Sequence, residues 1–252
     1  VIDRSLRTTV LLLVALVALT GGAYVAHQRL YASPEVRDLT PPPKALEAAP
    51  VDPPVPAVTG TAQADVPRVD PAWLARVAGA TGIEPFALEA YARAELAAPD
   101  GCGVGWTTLA GIGWVESHHG TIGGRTLGAD GRSSSRILGP ALDGSGAFAA
   151  IPATATSTQW HDDPLWDHAV GPMQFIPTTW ETWEADGDGD GVRDPNDLDD
   201  AALAAAEYLC AGGRDLTDGS GWTDALLSYN NARVYAVDVH AAATRYAGSA
   251  GS

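Results

Sequence analysis

Four stretches hold residue types that can do chemistry. Residues 111–120 read GIGWVESHHG, where a single carboxylate, Glu116, ends an apolar run and precedes Ser117. Residues 171–180 read GPMQFIPTTW and set the amide of Gln174 between Met173 and Phe175. Residues 226–232 read LLSYNNA and bring a phenol, Tyr229, next to an amide, Asn230. Residues 186–197 read DGDGDGVRDPND, an unusually dense set of carboxylates. A carboxyl at the C-terminal end of a helix, among apolar neighbours, is disfavoured as the anion. Its pKa rises, which is what a general acid needs near neutral pH. Taken singly, each stretch also has an ordinary reading: a solvated helix end, a packed loop, a capped helix C-terminus, a solvated acidic loop.

The acidic stretch matches D-x-D-x-D-G-x5-[DE]. It places Asp186, Asp188, Asp190, the Val192 carbonyl, Asp194 and Asp197 at loop positions 1, 3, 5, 7, 9 and 12. Hard oxygen ligands and the Gly191 turn suit Ca²⁺ in an EF-hand-like loop. Asp197 stands where a bidentate glutamate is usual, and Arg193 takes a position that is normally apolar. The expected role is structural, pinning the helix that starts near Leu198. His118 and His119 do not read as metal ligands, because adjacent helical residues diverge by about 100° and no partner spacing accompanies them.

The elements that must position these residues are mainly helical. Asp70-Pro71 starts a helix expected to run through Val77, with Gly79 and Gly82 as breakers. Glu84-Pro85 opens another, with Phe86, Leu88, Tyr91 and Leu96 at near-helical spacing. A third runs from Trp106 to His118 and carries Glu116. Further helices are expected at Pro177–Ala185, Leu198–Cys210, Trp222–Asn230 and Tyr235–Tyr246. Residues 121–169 are rich in Gly, Ser, Asp and Thr and read as an irregular insertion, with Arg136–Leu138 and Phe148–Ile151 as strands or ordered loop. Four acids there, Asp130, Asp143, Asp162 and Asp163, remain open as second carboxylates.

The chain has 252 residues, 46% of them hydrophobic, with a formal net charge of −16 and a pI near 4.5. That balance argues against a nucleic-acid partner. Nine acids and one arginine fall within residues 181–200, so about half of the excess sits in one short stretch, as a cation site requires. Arg4 and Arg7 precede an uncharged run from Thr8 to Ala26, long enough as a helix (roughly 28 Å) to span a bilayer. Residues 1–30 therefore read as a cytoplasmic tip and signal anchor, N-terminus inside. Cleavage near Gly21-Gly22-Ala23, giving a secreted protein, is the alternative. Residues 31–67, rich in Pro and Ala, read as an extended stalk, and residues 68–252 as one folded domain. On the exported side the two cysteines, Cys102 and Cys210, favour a disulfide, with two buried thiols as the alternative.

In order and spacing, Glu116-Ser117, Gly171-Pro172-Met173-Gln174 and Tyr229-Asn230 resemble the motifs of the lytic transglycosylases, lysozyme-like enzymes that cleave peptidoglycan. The GPMQFIPTTW form looks most like the membrane-bound transglycosylase B type in its actinobacterial version, whose calcium loop agrees with residues 186–197. The resemblance covers about residues 70–247. It implies a mainly α, lysozyme-like (α+β) fold and a one-carboxylate mechanism in place of the usual pair. Glu116 would protonate the bond between N-acetylmuramic acid and N-acetylglucosamine, then act as base toward a 1,6-anhydro product. Tyr229 would orient Glu116, and Ser117, Gln174 and Asn230 would position the sugar. A hydrolytic muramidase of the same fold, or a non-catalytic calcium-stabilised wall-binding module, are the competing readings. Peptidoglycan strands are the expected partner, with the domain outside the cell membrane.

Overall fold

The architecture is taken from a computed structural model, which describes residues 54–58, 66–145 and 149–251. The expected anchor and most of the expected stalk lie outside these residues. No helix among the described residues is long and apolar enough to cross a membrane.

Helix α1 spans Pro71–Thr81, capped by the Asp70 carboxylate, which accepts from the Ala72 and Trp73 N–H groups. It runs through Gly79 and stops at Gly82, whose φ of 73° closes the helix. A single helical glycine costs about 1 kcal/mol relative to alanine and does not break the ladder. Helix α2 (Pro85–Ala97) buries Leu88 and Tyr91 among alanines, while Phe86 points outward at 44% exposure, contrary to the spacing argument. Helix α3 (Trp106–Ser117) is buried on nearly every side from Trp106 to Gly113. A helix apolar all round belongs at the centre of a domain, and the others wrap it.

The described residues of the insertion form local pairings, and of the expected Phe148–Ile151 segment Phe148 lies outside them while Ala150 makes a single bridge to Asp143. A short β1 (Leu138–Ala141) pairs antiparallel with β2 (His168–Val170), Leu138 opposite Val170 and Ala141 opposite His168. Between them lie isolated bridges and a one-turn helix, α4 (Thr158–His161). The remaining helices are α5 (Pro177–Trp183), α6 (Leu198–Cys210), α7 (Gly219–Tyr229) and α8 (Arg233–Ala250). The last extends the expected Tyr235–Tyr246 by two residues at its start and four at its end, where the added C-terminal turn buries Ala247 and Ala250.

Helix α3 packs along α8, and α2 along α6. Gly111 lets α3 approach α8 closely, since a Cβ there would lie 2.8 Å from the Val239 carbonyl oxygen. Cys102 and Cys210 form a disulfide across 108 residues, tying the start of α3 to the end of α6. Part of the expected stalk joins the domain: residues 54–58 run antiparallel to 66–70 and bury Val55.

Candidate active site

Glu116 sits in the last turn of α3, which closes abruptly. The His118 N–H bonds the Trp114 carbonyl and the His119 N–H that of Gly113, while His118, His119 and Gly120 all have positive φ. His119 is buried between two hydroxyls, with Nδ1 3.0 Å from Tyr91 and Nε2 2.9 Å from Tyr246. Burial, with His118 and Arg245 nearby, pushes its pKa down to about 3, so it is a neutral bracket between the helix end, α2 and α8.

Ser117 is fully buried, its hydroxyl donating to the Pro172 carbonyl at 2.6 Å and accepting from the Gly120 N–H. It therefore positions the 171–174 turn and does not reach a sugar, a correction to the role carried over for it. Val170 and Phe175 exchange both backbone hydrogen bonds around that turn. Gly171 is required there: its φ is 76°, and a Cβ would fall 1.7 Å from the Pro195 carbonyl oxygen. Gln174 also has a positive φ, 51°, and its Nε2 donates to the Gly171 carbonyl at 2.9 Å. The same nitrogen also donates to the Ile137 carbonyl at 3.5 Å, so both N–H groups face the backbone and Oε1 is left as the group that can serve a ligand.

Tyr229, at the end of α7, donates its hydroxyl to the Met173 carbonyl at 2.8 Å. Its hydroxyl is thus spent on the turn, while its ring lines the same cleft as Glu116 and its own pKa is raised, by burial first and then by the Glu116 charge. A second tyrosine stands beside the carboxyl: Tyr235, two residues into α8. Its buried hydroxyl makes no hydrogen bond of ordinary length and angle, but it lies near enough to the Glu116 carboxyl to lower that group's pKa. The two tyrosine rings stack, centroids 6.3 Å apart and 8° from parallel. Sequence reasoning missed Tyr235; its only signal was a second tyrosine six residues after Tyr229.

These residues surround a cleft of about 390 Å³ lined by Glu116, Gln174, Tyr208, Tyr229 and Asn230, with Pro140, Leu142 and Ala169 as its apolar wall. Asn230 is exposed at its rim. Glu116 keeps part of its surface open to the cleft, yet protein encloses its carboxyl on the other sides. Burial raises its pKa from 4.5 to about 7, against a smaller lowering by the Tyr235 hydroxyl. Among the described residues it is the only carboxylate lining the cleft. The four acids of the insertion are engaged elsewhere or outside it: Asp162 with Arg136, Asp163 with His168, Asp143 with the Ser145 N–H, Asp130 with the Arg132 N–H. A second hollow of about 340 Å³ lies behind the turn, beside Arg132, Arg136 and Trp160. Its one acid, Asp194, is held ionised by Arg132, although burial opposes this, so no proton donor for neutral pH faces it.

In the acidic loop, oxygens of Asp186, Asp188 and Asp200 gather within 4.8 Å of one another. Asp200, three residues beyond the expected loop, closes the cluster in place of Asp197. It accepts from the Gly187 and Asp194 N–H groups. Asp197 instead caps α6, and Asp194 pairs with Arg132. Asp190 accepts from the Val192 N–H, and Val192 lies exposed at the outer edge. Burial raises Asp200 to about 7, and the charges of Asp188 and Asp186 add to it, an imbalance that a divalent cation would relieve.

Residues 165–223 match a family described as the Transglycosylase SLT domain. The matched segment holds Gln174 and the acidic loop, and leaves Glu116 and Tyr229 outside. Two solved structures of the Escherichia coli lytic transglycosylase Slt35 are similar to this chain, one in complex with bulgecin A and one with calcium. Each is 17% identical with a TM-score of 0.42; 72% of this chain is covered in both, against 79% of the first and 80% of the second. No curated protein matches the chain.

Proposed function

We propose that this chain is a peptidoglycan lytic transglycosylase of the membrane-bound B type. The observation that carries the reading is Glu116: a carboxyl still half protonated near pH 7, alone in a cleft of sugar-binding size. One carboxylate must then serve both halves of the reaction. As acid, Glu116 gives its proton to the glycosidic oxygen between N-acetylmuramic acid and N-acetylglucosamine, and the C–O bond breaks. The N-acetyl carbonyl of the substrate supports the cationic centre left behind. Glu116, now ionised beside the Tyr235 hydroxyl that favours its anion, removes the proton of the muramic 6-hydroxyl, which closes the 1,6-anhydro ring and restores the acid. Gln174 Oε1 and Asn230 orient the sugar, while Ser117 and Tyr229 fix the turn that carries Gln174.

Asp186, Asp188 and Asp200 fit a calcium ion by donor type and spacing. Bound there, the ion supplies charge neutralisation that ties the loop to the start of α6, and no reaction step passes through it. The N-terminal apolar run would anchor the domain on the outer side of the membrane.

The deciding experiment is digestion of purified sacculi followed by mass spectrometry of the products. Anhydro-muramic ends are expected, and Glu116→Gln should abolish them while preserving the fold. Reducing muramic ends would make the protein a hydrolytic muramidase, and no cleavage a wall-binding module.

A further inference from the structure

His168 is the first residue of β2, and its imidazole is largely covered, with 16% of the side chain exposed. Its Nδ1 lies 2.8 Å from the Gly139 carbonyl oxygen, and its Nε2 lies 3.1 Å from the Asp163 carboxylate. Both partners only accept. A neutral imidazole carries one N–H and would set a lone pair against one of them; the imidazolium satisfies both. We propose that His168 is a positioning residue: protonated on both nitrogens, it ties β1 to the 162–167 loop and holds Gly139 against Gln174, so that the cleft binds its ligand more tightly in acid.

The wall depends on this strand. Gly139 is wedged so closely that a Cβ would lie 3.0 Å from Gln174 Oε1 and 3.3 Å from the Ala169 Cβ. Pro140 and Leu142, which follow it, and Ala169 line the same cleft as Glu116. A shift of β1 therefore moves both the wall and the oxygen that Gln174 offers.

The charged surroundings favour the protonated ring. Strand β1 brings only carbonyls. The loop brings Asp163 and, behind it, fully buried Asp167, whose Oδ1 accepts from the Ser157 hydroxyl and from His161 Nε2. Helix α4 brings His161, its ring centroid 5.2 Å from that of His168. The Asp163 N–H donates to His161 Nδ1, so His161 is the neutral Nε2–H tautomer and adds no opposing charge. Asp162 is engaged by Arg136. Burial pulls the His168 pKa down, but the Gly139 carbonyl, Asp163 and Asp167 outweigh it, and the net shift is upward. Asp163 is held down to about 2, first by the Leu165 N–H and then by His168 and the Trp166 N–H, so it stays ionised throughout. With the folded value raised, the clamp is fully present below the ordinary histidine pKa and is lost as pH climbs through the folded value.

The idea rests on the carbohydrate reading of the cleft, so the test carries one readout that does not. It uses the full chain with Glu116→Gln, which removes the titration of Glu116 itself. The first readout is NMR: the His168 ring titration together with exchange of the Leu142 amide, which bonds the Asp167 carbonyl at 2.9 Å across the wall. The second is calorimetric binding of chitotetraose from pH 5.5 to 8.5. The expected result is a His168 midpoint above the ordinary value, with Leu142 exchange faster and affinity several-fold weaker above that midpoint. Asp163→Asn keeps an oxygen for the Leu165 and Trp166 N–H groups but turns an amide toward Nε2, so the midpoint should fall. His168→Arg stays charged and should make affinity independent of pH across this window. Leu142 exchange indifferent to the His168 titration, or a pH dependence that survives His168→Arg, overturns the proposal. If chitotetraose binds at no pH while the NMR behaviour holds, the clamp stands and the carbohydrate reading falls.

Discussion

The assignment of Tyr235 can be tested by removing one oxygen atom. Tyr235→Phe keeps the ring that stacks on Tyr229 but deletes the hydroxyl that lowers the Glu116 pKa. A hydrogen bond to a charged group contributes about 1.5–3 kcal/mol, and one pKa unit corresponds to about 1.4 kcal/mol. Because Glu116 remains partly open to the cleft, the lower end applies, an increase of about one unit. The sign is fixed: a hydroxyl donor beside Glu116 favours the carboxylate, so losing it lifts the pKa above its present value of about 7. Two consequences can be measured. The carboxyl resonance of Glu116 titrates about one unit higher, and the alkaline limb of kcat/KM on sacculi moves by the same amount. At pH 6 the acid is protonated in both proteins, yet the variant turns over roughly tenfold more slowly, because the carboxylate formed in the reaction lacks its donor. A carboxyl titration that stays in place or moves downward would show that Tyr235 does not serve Glu116.

Further expectations concern stability. Because the Glu116 carboxyl is raised from 4.5 to about 7, the native state holds that proton more tightly than the unfolded chain, and stability falls as pH rises across this window. Glu116→Gln removes that loss, so the inactive variant should gain about 3 kcal/mol on the wild type between pH 4 and pH 8 in urea unfolding. Calcium should raise the melting temperature, and Asp200→Asn should weaken calcium binding in a fluorimetric titration. Asp197→Ala should instead cost about 1 kcal/mol of helix capping with calcium affinity retained. Reducing the Cys102–Cys210 disulfide, which closes a loop spanning 108 residues, should cost up to about 4 kcal/mol, read as a lower urea midpoint with reductant.

Much of this protein is legible one segment at a time. Asp70-Pro71 and Glu84-Pro85 start helices where the chain says they should, and α6 spans Leu198–Cys210 as read from its alanines. The 121–169 segment was only partly legible. His161, Asp167 and Ser157 stabilise it through a buried polar cluster rather than through periodic apolar residues, so hydrophobic spacing carries no trace of it. Phe86 failed for a related reason: helical spacing defines a face, but only the neighbouring helices decide which edge of that face is covered.

The site divides along the same line. Glu116 at a helix end, Gln174 in a glycine turn and the run of aspartates can be read directly, because proton affinity, turn geometry and ligand hardness follow from residues a few positions apart. Which hydroxyl meets Glu116, and which aspartate closes the acidic cluster, could not be read that way. Tyr235 stands beside the carboxyl because α8 packs along α3, and Asp200 faces Asp186 and Asp188 because the first turn of α6 rotates it inward while Asp197 caps the helix. Those contacts join residues on separate elements, and the rotation of one helix against another is set by packing, to which no local stretch of sequence refers.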